Sequence, residues 1–172
     1  MKKLYTMLLL VISLCTASCS DWLDVSPSNQ VNGDKLFEIG DGYRNALNGI
    51  YLNLGTSSMY GQTMSWGFMD AIAQYYKTDN GSNFIPKTSA YYKSAKFQFE
   101  DSDVKTFISN IWSVSYNNIA NCNNLILNVS EASPSVFKEG EFEKNMIWGE
   151  ALALRAFMHF DLLRLFAPAI SK

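Results

Sequence analysis

Apolar residues return at steps of three and four along most of this chain, and that spacing predicts an α-helical protein. From Asp41, a residue type suited to an N-cap, Tyr43, Leu47, Ile50 and Leu54 fall on one helical face, and Gly55 offers a stop. A second helix is predicted over Gln62 to Tyr76, with Met64, Phe68, Ile72 and Tyr75 as its stripe. Trp66, Met69, Ala73 and Tyr76 widen that apolar arc, which implies a largely buried helix. The longest run lies between Asp103 and Val129, where Val104, Ile108, Ile111, Ser115, Ile119, Cys122, Ile126 and Val129 recur without a break. Trp112 and Tyr116 sit on its flank, one turn apart. After the punctuation of Ser133, Pro134 and Gly140, a fourth helix is predicted from Glu141 to Phe166, closed by Pro168. Its core stripe is read as Phe142, Met146, Gly149, Ala153, Ala156, Phe160 and Leu163, with small central residues that admit another helix closely.

The stretch from Lys77 to Ser102 breaks this rhythm. It carries the turn formers Asp79, Asn80, Gly81, Asn83, Pro86 and Ser89 together with Phe84, Tyr91, Tyr92, Phe97 and Phe99. A loop of that length inside a compact domain tends to be functional. The expected fold is therefore all-α: paired antiparallel helices of tetratricopeptide-like type with a long aromatic-rich loop. Trp112 with Tyr116, and Ala153 with Phe157, are the residues that hint at that repeat.

The N-terminus reads as an export signal over residues 1–18. Lys2 and Lys3 precede an apolar run from Met7 to Leu14, too short for a permanent span, which takes about 20 residues. Thr16, Ala17 and Ser18 then lead to Cys19, the order that a lipoprotein signal peptidase accepts, although Thr16 stands where a leucine is usual. Cys19 is the expected lipidation site; an ordinary secretory signal cut nearby is the alternative. Residues 19–40 are read as a lipidated tether and 41–172 as a helical domain. Removing 18 of the 172 residues leaves 154, enough for one core, and losing two lysines leaves 12 basic against 16 acidic residues, a net charge of −4. No basic run exists, so nucleic acid is not an expected partner. With Cys19 lipidated, Cys122 has no disulfide partner and is expected to be a small buried apolar residue.

Tyr 9, Phe 11 and Trp 4 against only 17% charged residues suggest a protein that buries or displays rings. Sugar rings stack their C–H faces on aromatic surfaces while amides and carboxylates satisfy the hydroxyls. Tyr76, Tyr91 and Tyr92 are candidate platforms of that kind, with Asn80 and Asn83 as hydroxyl partners. Trp66 and Trp112 are assigned to the core or to a partner. Glu150 and Arg155, five apart, cannot pair on one helical face, so each needs a partner elsewhere; Asp161 and Arg164 at i,i+3 can pair. His159 is the only histidine and lacks convergent ligands, so no metal and no cofactor are expected. No nucleophile-elbow, P-loop or dinucleotide fingerprint occurs, and no enzymatic activity is expected.

Four segments resemble the N-terminal region of the SusD/RagB outer-membrane lipoproteins, in the same order: CSDWLDVSPSNQ from Cys19, YRNALNGIYLNL from Tyr43, IWSVSYNNIANCNNLI from Ile111 and GEALALRAFMHFDLLRLFAP from Gly149. The resemblance implies a scaffold of tetratricopeptide-type helix pairs, lipid-anchored at the cell-surface side of the outer membrane and docked on a TonB-dependent, SusC-like transporter. It also implies capture of an oligosaccharide or polysaccharide for import, or of a peptide in some relatives. A helical scaffold lipoprotein that binds only proteins or peptides is the alternative. Members of that family are longer, so the resemblance further implies that the chain is a truncated, N-terminal part of such a domain.

Overall fold

The computed structural model describes residues 33–75, 77 and 85–168. Two compact units divide the chain, Met1–Leu36 and Phe37–Lys172. Of the first, only the four-residue helix α1 (Gly33–Leu36) is described. The expected signal segment, Cys19 and the tether as far as Asn32 lie outside the described residues, as do Tyr76, Asn80 and Asn83.

Among its described residues the second unit consists of helices and connecting turns, with no strand. Helix α2 spans Gly40–Leu54 and buries Tyr43, Leu47, Ile50 and Leu54, the expected stripe. Helix α5 spans Ser102–Glu131; its N-cap Asp101 accepts a hydrogen bond from the Asp103 backbone N–H at 3.0 Å. Val104, Ile111, Ser115, Ile119, Cys122 and Val129 are buried as the periodicity predicts, joined by Asn118 and Leu125. A 3₁₀ turn over Pro134–Val136, capped by Ser133, then leads to helix α6, Gly140–Phe166.

Cross-helix pairs give the topology. Ser130, Asn123 and Trp112 of α5 meet Lys144, Arg155 and Phe166 of α6 in that order, so the two run antiparallel, as expected. Arg44 and Tyr51 of α2 reach Glu143 and Glu150, a constant offset of 99 residues, so α2 runs parallel to α6. The main core lies where the three meet and includes Leu47, Ile50, Cys122, Leu125, Ile147, Ala151 and Met158. Each such aliphatic side chain stabilises the fold by roughly 1.5–3 kcal/mol on full burial.

Two expectations are corrected. The first concerns α6, whose core side holds Ile147, Ala151, Met158 and Leu162 with Glu143 and Asp161, not the predicted stripe. Phe142, Phe160 and Leu163 of that stripe are 69%, 61% and 63% exposed. The helix is apolar on both faces, so periodicity alone cannot rank them; two buried carboxylates disguise the inner one. The second concerns residues 62–76, where among the described residues only Phe68–Ile72 is α-helix, here α3. Before it the backbone winds more widely, with Gly61, Met64 and Gly67 N–H groups bonding carbonyls five residues back at 3.0, 2.9 and 2.8 Å. A Cβ on Gly61 would lie 2.4 Å from the Gly55 carbonyl oxygen, so the coil closes only around glycine. Met64 and Phe68 still reach the interior, with Val104 and Ile111 in a second, smaller core. Within the expected loop, Ala90–Ala95 forms a short helix, α4, started by Ser89, whose hydroxyl accepts from the Tyr91 N–H at 3.3 Å.

Candidate functional site

Several polar residues are buried or half-buried between the helices. Glu143, nearly inaccessible, accepts from Arg44 Nε and Nη2 at 3.1 and 2.5 Å and from the Glu139 N–H at 3.1 Å. The Arg44 bond, then the backbone donors, hold its carboxyl below the usual glutamate range. Asp161 accepts from Tyr60 Oη at 2.5 Å and from Arg164 Nε at 2.6 Å, the expected i,i+3 pair. Burial, and then that bond, push the Tyr60 hydroxyl far up. Glu150 and Arg155 find partners on other helices, as expected: Tyr51 Oη donates to Glu150 at 2.9 Å, and Arg155 Nη1 donates to Asn123 Oδ1 at 2.9 Å. These groups peg α2, α5, α6 and the coil before α3 together. Cys122 is fully buried, as expected, and desolvation pushes its thiol up to about 11, outside nucleophilic range.

The chemistry suited to ligand contact lies on the lobe formed by α3, α4 and the coil before them. Tyr91, half-buried, stacks on Phe107 with centroids 5.3 Å apart and accepts a hydrogen bond on its hydroxyl from Gln62 Nε2 at 2.8 Å. One of its faces is thus committed to packing. Tyr92 is half-buried under the Lys96 ammonium, 5.6 Å from its ring centroid. Of the five ligand-contact candidates, these two share α4, and the other three are not described.

Trp66, expected either in the core or facing a partner, lies outside the core. Its indole is 62% exposed, and its N–H donates to the Gly61 carbonyl at 3.2 Å. That bond fixes the ring while leaving it accessible, the requirement for a stacking platform. Tyr75, Phe97 and Phe99 are exposed on the same lobe. Gln74 and Phe97 are the described non-glycine residues with positive φ, 60° and 55°. The Gln74 amide donates to the carbonyls of Ala95 and Ala71 at 2.8 and 3.2 Å, tying the end of α3 to α4. Left-handed backbone at a non-glycine residue costs on the order of 1 kcal/mol and is retained where the surroundings impose it. An apolar pocket of about 270 Å³, lined by Phe68, Ile72, Phe99, Ile108, Ile111, Leu165 and Phe166, opens beside the lobe. It holds no polar group to orient a ligand.

This combination, a helical scaffold locked by polar pegs beneath an aromatic lobe, agrees with a family model that matches residues 21–172, SusD-like_3, described as starch-binding associating with outer membrane. The chain belongs to the SusD-like family. That membership accounts for the all-α architecture, and the family's members are binding proteins associated with the outer membrane. Comparison with curated proteins and with solved structures finds no match. None of the described helices is long and apolar enough to cross a membrane.

Proposed function

We propose that this chain is a noncatalytic glycan-capturing lipoprotein of the SusD-like family. It holds an oligosaccharide or polysaccharide at the outer surface and passes it to a TonB-dependent, SusC-like transporter. The observation that supports this most is the family match across residues 21–172, on a chain whose α3/α4 lobe displays Trp66 with its indole N–H already bonded. In this reading residues 1–18 are the signal, Cys19 carries the lipid, and residues 19–40 tether the helical domain. The proposed contact set is Tyr76, Asn80, Asn83, Tyr91 and Tyr92, extended by Trp66, with Tyr91 positioned by Gln62. Two or more acyl chains on Cys19, at ~0.8 kcal/mol per buried CH₂, give an anchor that does not dissociate on a cellular timescale.

Affinity electrophoresis against a panel of plant, host and microbial polysaccharides tests the capture. Retardation by at least one polysaccharide, without release of reducing sugar, is the expected result. Migration unchanged across the panel sinks it and leaves the second reading, a scaffold lipoprotein that binds proteins or peptides. That second reading draws on the exposed Phe142, Phe160 and Leu163 of α6, an apolar surface with no sugar-like polarity. Radiolabelled palmitate incorporated by the native chain and lost in C19A tests the anchor. Copurification with a transporter from detergent-solubilised outer membranes tests the docking.

A further inference from the structure

We infer that the outward face of α5 is a second glycan-contact strip, selective for neutral oligosaccharides, in addition to the α3/α4 lobe. The inference rests on the glycan-capture reading above and adds a place and a ligand class to it.

Seven of the 30 residues of α5 are asparagines. Asparagine disfavours a helix relative to alanine because its amide competes with the backbone, so a run of them calls for a reason. Six of the seven follow Trp112, and two of those six have structural reasons. Asn118 is buried, donating to the Val114 carbonyl at 3.0 Å and accepting from Asn53 at 3.2 Å, and Asn123 holds Arg155. Asn117, Asn121, Asn124 and Asn128 have none of that kind. Asn121 Nδ2 donates to Asn117 Oδ1 at 3.3 Å, and Asn128 Nδ2 donates to the Asn124 carbonyl and Oδ1 at 2.8 and 3.0 Å, so the four bond only along their own helix.

Their placement is regular. Trp112, Tyr116, Ala120, Asn124 and Asn128 follow one i+4 ridge of the helix, and Ser113, Asn117 and Asn121 follow the adjacent one. All are exposed except Asn128, which is half-buried. One turn advances about 5.4 Å, close to the length of one pyranose unit, so amides a turn apart can address successive sugars. A primary amide offers both a donor and an acceptor, which matches a pair of neighbouring hydroxyls. At the N-terminal end of the strip, Trp112 and Tyr116 present two ring planes tilted by 52° with centroids 4.7 Å apart. Phe166 braces Trp112 edge-on at 5.0 Å.

Charge decides the ligand class. No Asp, Glu, Lys or Arg occurs from Thr106 to Ser130, whereas the partner helix α6 carries seven in 27 residues. The helix itself supplies nothing to pair with a uronate, a sulfate or a charged peptide, and the cations that reach it from α6 are engaged, Arg155 with Asn123 Oδ1 and Lys144 with the Ser130 and Ala132 carbonyls. Its exposed face offers what a neutral polyhydroxyl chain requires.

The test is affinity electrophoresis of the full chain on neutral polysaccharides, starch among them, and on polygalacturonate as the anionic control. The N117A/N121A and W112A/Y116A variants run beside the wild type. The asparagine replacements strengthen helix propensity, so helix content and Tm stay level or rise while affinity for the retarding neutral polysaccharide falls at least fivefold. Wild-type affinity in both double variants, with affinity lost in W66A, overturns the strip and leaves the capture reading standing. Retardation by polygalacturonate alone overturns the neutral class. No retardation of the wild type by any polysaccharide removes both.

Discussion

Where α2, α5 and α6 meet, the interior is a broad aliphatic core crossed by ion pairs and hydrogen bonds between helices; around α3 and α4 it is a small core of Met64, Phe68, Val104 and Ile111. The first region packs some of its rings inward, as with Tyr43 between Phe37 and Phe137 at 4.9 and 5.0 Å, and leaves others, Trp112, Tyr116, Phe142 and Phe160 among them, exposed on outer helix faces. The second exposes Trp66, Tyr75, Phe97 and Phe99 on a backbone with two left-handed residues, Gln74 and Phe97, the first tied by its side chain to the Ala71 and Ala95 carbonyls. The contrast teaches that one unit presents rings in two ways, on the outer faces of long regular helices and on short helices joined by irregular chain. Regular helices supply rigidity, and irregular chain of low burial supplies further accessible aromatic faces.

The comparison breaks most visibly in the scaffold. Leu125→Ala, at a fully buried position, is expected to cost about 2–5 kcal/mol in urea unfolding, enough to threaten the whole domain. A loss under ~1 kcal/mol would mean that the helix interface is looser than its burial implies. Glu143→Gln comes next, and its signature is in pH. Because the folded carboxyl is held below its unfolded value of about 4.3, its stabilisation is present above that value. It is lost as the pH falls through the lower folded pKa. The variant is therefore expected to have a lower Tm at neutral pH and a flatter decline between neutral and acid pH, measured by thermal circular dichroism.

In the lobe the expected order reverses, with binding affected more than stability. Trp66→Ala is expected to weaken polysaccharide binding about tenfold, equivalent to ~1.4 kcal/mol. Its thermal unfolding should change by no more than about 0.5 kcal/mol. A large stability loss with unchanged binding would make Trp66 a packing residue. Tyr91→Phe removes the bond from Gln62 and should cost roughly 0.5–1.5 kcal/mol, with the Phe107 stack retained. The smallest effect is expected at the surface pair of Lys138 and Asp41, 2.7 Å apart and both exposed. There Lys138→Ala should cost under about 0.5 kcal/mol and less in high salt.

Much of this was legible beforehand. The faces of α2 and α5 followed from periodicity because each has one apolar side and one polar side. The need of Glu150 and Arg155 for distant partners followed from helical geometry, as did the Asp161–Arg164 pair. The candidate site was less legible. Tyr91 and Tyr92 were chosen as loop residues, yet α4 places them half-buried, because a six-residue helix is too short to announce its own period. For Trp66 the sequence allows the core or a partner-facing surface, and the structure decides against the core, with the indole N–H held by the Gly61 carbonyl that the wide coil brings within reach. Polar turn residues in the Thr56–Ser58 segment and the glycines at 61 and 67 were the available signal for that coil.

By itself, then, the sequence determined the all-α class, the family and the inner faces of two of the three long helices, since those depend on local periodicity and on ordered motifs. The tertiary structure alone decided which face of α6 goes inward. Both faces are apolar, and the choice falls to the side where Arg44, Tyr60 and Arg164 satisfy Glu143 and Asp161. A buried carboxylate is tolerable only beside its donors, and donors from distant parts of the chain, Arg44 and Tyr60 above all, come together only once the helices have packed.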